Sequence, residues 1–206
     1  MRLKNKIAII TGSASGFGKG IAKKFSQEGA KLIMVDINSK LLKKISNNLS
    51  QDYFVADVSK ESNFKSLLKY TFKKYKTVDI IVNNAGITHK PKNMEDVTGK
   101  EFDKVFNVNA KSVYLSAKYF VPSMKKLRRG VILNVASTAG LSPRPKLNWY
   151  NASKGWMITA TKAMAIELAS YNVRVNAIAP VAGKTPLLKS FMGGNTKKKR
   201  NAFCSM

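Results

Sequence analysis

The sequence predicts an α/β fold: a doubly wound parallel sheet with helices on both faces. Three observations lead there. Apolar stretches of strand length alternate with amphipathic stretches of helix length along the chain, the rhythm of strands joined by crossover helices. The first strand-length stretch, "KIAIITG", is nearly continuous in Ile and Ala, as a strand buried on both faces should be. That stretch runs directly into a glycine-rich turn that opens a helix.

The elements follow in order. "KIAIITG" (Lys6 to Gly12) is the first strand, and a helix from about Phe17 to Glu28 carries Ile21, Ala22 and Phe25 on one face, with Gly29 as its stop. "KLIMVD" (Lys31 to Asp36) is the second strand, Ser39 to Leu49 a helix, and "YFVADV" (Tyr53 to Val58) the third strand. A helix from Glu61 to Tyr75 precedes the fourth strand, "DIIVNNAG" (Asp79 to Gly86). One long helix is expected from about Lys100 to Leu127, where Phe102, Val105, Phe106, Val113, Ala117 and Phe120 form an apolar stripe with some drift. "GVILNVAS" (Gly130 to Ser137) is the fifth strand, Trp149 to Ser170 a helix and "VRVNAIAP" (Val173 to Pro180) the sixth strand. Right-handed crossovers would wind six strands and five intervening helices into a doubly wound sheet.

Composition narrows the class. The 206 residues fit one domain with a core of ordinary size, and 44% hydrophobic residues is usual for a globular chain. No apolar run approaches the ~18 residues of a membrane span, and "MRLKNKIAIITGS" reaches glycine and serine too soon for a secretory signal. One cysteine, Cys204, cannot form an internal disulfide, which agrees with a reducing compartment. These features predict a cytoplasmic protein with no membrane partner. The net charge of +26 invites a nucleic-acid reading. Against it, only six of the 37 basic residues are arginine and the lysines are spread over nearly every segment, without aromatic-interleaved basic clusters. The densest run, 196–200 ("TKKKR"), reads as a solvated end, so no specific nucleic-acid partner is expected.

"TGSASGFG" (Thr11 to Gly18) lies between the first strand and the first helix. Glycines at 12, 16 and 18 let the backbone turn tightly and approach a ligand, and the free N–H groups of a helix start favour a pyrophosphate. Asp36 ends the second strand at the spacing the dinucleotide fingerprint requires, where a carboxylate accepts from ribose hydroxyls and repels a 2′-phosphate. NAD is therefore expected, ahead of NADP. In "YNASK", Tyr150 and Lys154 fall at i and i+4 on one helix face, so an ammonium can bias a phenol that otherwise titrates near pH ~10. Taken alone this spacing also suits a surface pair on a lysine-rich helix.

The glycine turn, "NNAG" (Asn83 to Gly86), Asn109, Ser137 and "YNASK" together resemble the short-chain dehydrogenase/reductase family in order and spacing, from about Lys6 to Met192. The "PVAG" and "TPLL" segments are similar to the 3-oxoacyl-carrier-protein reductase-like and glucose dehydrogenase-like subgroup. The resemblance implies a single NAD(P)-binding Rossmann domain over 1–206, and oxidation of an alcohol or reduction of a ketone. It makes Tyr150 the general acid/base, Lys154 the group that lowers its pKa and holds the nicotinamide ribose, and Ser137 the hydrogen-bond partner of the substrate oxygen. Asn109 would place a relay water beside the lysine, or serve as a helix-kinking polar residue. Cofactor contacts are implied for Gly12, Ser15, Gly16, Phe17 and Gly18, for Asp57 and Val58 against adenine, and for Asn83, Ala85 and Gly86. They are also implied for Pro180, Gly183 and Thr185, although Val181 stands where the family has glycine. No metal is implied. His89 is read as a solvent-exposed loop residue with a possible place at the site rim.

The family ordinarily continues with another helix and a seventh strand beside the sixth, so the resemblance also implies a chain truncated at its C-terminus. Its intact members are homodimers or homotetramers, here through the long helix and the helix of Tyr150. A dinucleotide-binding fragment of weak or no activity is the alternative to the enzyme.

Overall fold

In the computed structural model, residues 1–194, 196, 197 and 201 are described. Cys204 and most of the basic run 196–200 lie outside them. The described residues form one six-stranded sheet of order β3-β2-β1-β4-β5-β6 with every pairing parallel. The strands are β1 (Ile7–Thr11), β2 (Lys31–Asp36), β3 (Asp52–Val55), β4 (Ile80–Asn83), β5 (Gly130–Val135) and β6 (Val173–Ile178). The helices between them are α1 (Gly16–Gln27), α2 (Ser39–Leu49), α3 (Glu61–Tyr75), α4 (Gly99–Phe106), α5 (Ser112–Leu127) and α6 (Asn148–Leu168), with α7 (Pro186–Phe191) after β6.

Each central strand divides its side chains between two cores, because successive residues point to opposite faces. Ile9, Ile33, Ile81 and Ile132 join Phe64 and Leu67 of α3, Leu115 and Phe120 of α5 and Leu168 of α6. Ala8, Ile10, Leu32, Met34 and Val82 join Ala22 of α1 and Leu42 and Ile45 of α2. β1 is buried at all five positions, which is why it reads as an uninterrupted apolar run. Sheet order reverses between β1 and β4, and the strand ends there open a crevice.

Except for β2, which ends at Asp36 as expected, the strands stop short of their expected ends where the chain turns into that crevice. β3 ends at Val55, not Val58, and Asp57 begins a turn in which its carboxylate accepts from Ser59 N–H at 2.9 Å and Ser59 Oγ at 2.7 Å. β4 ends at Asn83, because the next two N–H groups, of Asn84 and Ala85, donate to Thr11 Oγ1 at 3.0 and 3.1 Å and leave the ladder. β5 ends at Val135, and Ser137 caps a 3₁₀ turn over Thr138–Gly140. The single long helix expected over 100–127 is α4 and α5 joined by a π-helical segment, Asn107–Lys111. Its start is a capping box, Thr98 accepting from Glu101 N–H at 3.3 Å while the Glu101 carboxylate accepts from Thr98 N–H at 3.1 Å.

Candidate active site

The glycine turn is shaped by close approach. Gly12 has φ of +64° and Gly16 +52°, left-handed values that a Cβ would strain. A Cβ on Gly18 would lie 2.1 Å from the Gly12 carbonyl oxygen and 2.5 Å from Asn84 Nδ2, so α1 starts in direct contact with the turn before it. Asn84 holds that turn from the other side, Nδ2 donating to the Thr11 and Gly12 carbonyls at 2.8 and 3.1 Å. Ser15, the N-cap of α1, makes no side-chain cap, and Ser15, Gly16 and Phe17 line the crevice. An uncapped helix start bordering a cleft suits an anion. At the end of β2 the Asp36 carboxylate lines the same cleft, with Oδ2 accepting from Ala14 N–H and Oδ1 from Asn38 N–H, both at 2.9 Å. Each oxygen keeps acceptor capacity, and the backbone fixes its direction.

The other end of the cleft, whose total volume is about 790 Å³, holds the hydroxyl, phenol and amine. Tyr150 and Lys154 are each 3% exposed on α6. Lys154 Nζ donates to the Val135 carbonyl at 2.7 Å. Burial alone depresses this amine from its ordinary 10.5 to about 8. For Tyr150 the dominant effect is also burial, which pushes the phenol up, and a hydrogen bond with Ser137 works in the opposite direction. The expected lowering by Lys154 does not appear, because its ammonium is directed at Val135 and the phenol's surroundings are largely apolar. Phe191 of α7 packs edge-on against the Tyr150 ring at 5.0 Å.

Asn109 ties this end together from behind. It is wholly buried in the π segment, where the helix ladder is widened. Its Oδ1 accepts from Ile87 N–H and its Nδ2 donates to the Ile87 carbonyl and to Ser153 Oγ, all at 2.9 Å. Ser153 Oγ in turn donates to the Tyr150 carbonyl at 2.7 Å. A Cβ on Gly86 would stand 3.4 Å from Lys154 Nζ and 3.5 Å from Asn109 Oδ1, so that glycine lies between the two side chains.

Of the residues singled out in the sequence, Gly12, Ser15, Gly16, Phe17, Asp36, Asp57 and Val58 line one cleft with Ala85, Gly86, Ser137, Tyr150, Lys154, Pro180, Gly183 and Thr185. Three do not reach it. Gly18 is packed against the turn, Asn83 donates from Nδ2 to Asn134 Oδ1 at 2.8 Å within the sheet, and Asn109 stands behind the wall. His89 is corrected outright: it is 4% exposed, not a solvent-facing loop residue, with Nδ1 2.8 Å from the Lys90 carbonyl. Arg144 and Phe191 also line the cleft; they fall in the loops 142–147 and 187–194, where the sequence reading expects the substrate pocket, although neither residue is singled out there. The run "SPRP" carried a signal for the first, since an arginine between two prolines is held in a restricted backbone. The described residues include no cluster of metal-ligating side chains and no helix long and apolar enough to cross a membrane.

A six-stranded parallel sheet with helices on both faces and a cleft at its switch point defines a Rossmann-type α/β protein. The family model described as short chain dehydrogenase matches residues 6–195, and the chain belongs to that family of oxidoreductases. It is 41% identical to a 4-formylbenzenesulfonate dehydrogenase of Comamonas testosteroni, over all of this chain and 84% of that protein. It is 38% identical to a 3-oxoacyl-[acyl-carrier-protein] reductase of Thermotoga maritima, over 91% of this chain and 78% of the relative. A crystal structure of a 3-ketoacyl-(acyl-carrier-protein) reductase from Brucella melitensis complexed with NADH superposes with a TM-score of 0.91 at 45% identity, covering 97% of this chain and 83% of that one.

Proposed function

We propose that the protein is an NAD-dependent oxidoreductase interconverting an alcohol and its ketone, with Tyr150 as general acid/base. The observation that carries this reading is the convergence of Ser137, Tyr150 and Lys154 on the same cleft as the glycine turn and Asp36. The residues present fit a dinucleotide: a glycine path without Cβ atoms at 12 and 16, an uncapped helix start beside it and a carboxylate aimed by two backbone amides. The Brucella reductase of similar structure was solved with NADH, which supports a nicotinamide cofactor. When bound, that group supplies or accepts the hydride.

The chain's own part is to bind the carbonyl and move one proton. Ser137 Oγ accepts from Ala139 N–H at 3.1 Å, which sets its orientation beside Tyr150, where its hydroxyl can meet the substrate oxygen. Tyr150, with its phenol raised by burial, holds its proton at neutral pH and donates it to that oxygen during reduction. Lys154 is mostly protonated at pH 7, with one N–H given to the Val135 carbonyl and its remaining hydrogens left for the nicotinamide ribose. Asn109 and Ser153 fix the helical turn that presents both groups. The single charge on Asp36 accepts from ribose hydroxyls and disfavours a 2′-phosphate, the basis for NAD over NADP. We extend the reading to a cytoplasmic homo-oligomer built on α5 and α6, whose outer faces expose Tyr114, Trp156 and Ile166.

Replacement of Tyr150 by Phe tests the assignment. Loss of NADH-dependent ketone reduction by roughly 100-fold or more is expected, with the NADH-induced rise in melting temperature retained. Unchanged turnover would remove Tyr150 from the chemistry. A thermal response to NADH without turnover in the parent protein would make this a dinucleotide-binding protein.

A further inference from the structure

The groups that flank a substrate's reacting carbon must lie against whatever borders Ser137 and Tyr150. That border is apolar and comes from three elements. Ala139 follows Ser137 in the 3₁₀ turn, Leu147 is the residue before α6, and Phe191 ends α7; all three line the cleft and pack with Tyr150. Ala139 and Leu147 are buried, whereas Phe191 is half-buried, so its ring keeps surface for a ligand. The Phe191 and Tyr150 rings meet at 5.0 Å with their planes at 65°, an edge contact that sets the phenylalanine beside the phenol. Nearby cations do not offset this character. Lys154 is taken up by the Val135 carbonyl, Arg144 already has a partner and its Nη1 is closed to solvent, and Lys60, Lys100 and Lys104 line the cleft from exposed positions. A hydroxyl or charge set against Leu147 and Phe191 would give up its water for no partner, while a hydrocarbon group would gain by burial.

We propose that Phe191, with Leu147, determines specificity: the substrate is a neutral ketone or secondary alcohol whose reacting carbon carries a hydrocarbon ring or branched chain, and sugars and keto acids are disfavoured. The proposal rests on the oxidoreductase reading above and names its substrate class.

The test compares cyclohexyl methyl ketone with 4-acetyltetrahydropyran, which share shape and carbonyl and differ by one ring methylene replaced by oxygen. The parent protein with NADH reduces the cyclohexyl ketone with kcat/KM roughly 10-fold above the ether. Phe191→Ala lowers kcat/KM for the cyclohexyl ketone by roughly 10-fold or more, mostly through KM, and narrows the preference to within about 3-fold, while Phe191→Leu keeps most of it. Equal use of the two ketones by the parent, or an equal loss on both in Phe191→Ala, overturns the assignment. Should the parent reduce neither ketone, saturation-transfer NMR on the NADH-loaded protein separates the two readings. Binding of the cyclohexyl ketone that is lost in Phe191→Ala keeps the apolar wall and refutes the oxidoreductase; absence of binding to the parent refutes the wall.

Discussion

Replacing Lys154 by methionine isolates the consequence of burying an amine under the cleft. In the fold the amine gives up its proton near pH 8, and in the unfolded chain near 10.5. Between those values the unfolded state binds more protons than the native one, so rising pH favours folding. The stabilisation from this group is fully present above about 10.5 and is lost as pH falls through about 8. At about 1.36 kcal/mol per pH unit, the whole window is worth about 3 kcal/mol. The accessible part, from pH 7 to pH 9, amounts to about 1 kcal/mol once partial protonation is included. Methionine does not titrate, and the bond lost to the Val135 carbonyl adds an offset of about 1 kcal/mol that is nearly independent of pH. Urea unfolding of both proteins at pH 7, 8 and 9 measures the difference directly, since every other titrating group is shared. The parent should gain about 1 kcal/mol over Lys154→Met between pH 7 and pH 9. Parallel pH profiles would refute the claim that this amine is desolvated in the fold.

Two further substitutions address the cofactor end. Asp36→Asn keeps an acceptor for one of the two backbone amides and removes the charge, so the ratio of kcat/KM for NADH over NADPH should fall by roughly 10-fold; steady-state kinetics with both cofactors checks it, and a parent enzyme preferring NADPH would mean that the carboxylate faces elsewhere. Gly18→Ala places a Cβ 2.1 Å from a backbone oxygen and should cost at least ~2 kcal/mol in urea unfolding, whereas Gly20→Ala on the same helix, with nothing within 4 Å, should gain about 0.5 kcal/mol. Equal effects at 18 and 20 would show that α1 is not pressed against the turn.

The fold was legible because burial on both faces leaves a simple trace. β2, α2 and α3 lie where the apolar pattern puts them, and the structure supplies the ends of α2: Asn38 accepts from Leu41 N–H at 3.0 Å to start it, and Ser50 ends it in the left-handed conformation. Strand ends were less legible, since they are decided by partners remote in sequence. Nothing near Gly86 announces that Thr11 Oγ1 will take the N–H groups of Asn84 and Ala85 and end β4. The short 3₁₀ turn at Met94–Asp96 and α7 were missed for a related reason, being too short for periodicity to register.

Within the site, motif spacing located the groups that reach the cleft better than it described their surroundings. The charge pairing expected between Tyr150 and Lys154 presumes an ammonium facing the phenol, and a carbonyl from β5, brought there only by the sheet, takes the amine instead. The drift in the apolar stripe between Phe106 and Val113 did mark something real. A π segment admits one extra residue into the helical turn, which re-phases the stripe and turns Asn109 inward, where an ordinary helix would bury an apolar side chain. Burying an amide there is costly unless its hydrogen-bonding groups are satisfied, and Ile87 and Ser153 satisfy Oδ1 and both Nδ2 hydrogens. The polar interruption of an apolar stripe thus joins three elements: the strand exit after Gly86, the π segment and the turn of α6 that presents Tyr150 and Lys154. A helix without that insertion would carry Asn109 off this axis and leave the Ile87 backbone and Ser153 without their shared partner, so the irregularity in the stripe is the sequence's record of how the phenol and amine are held.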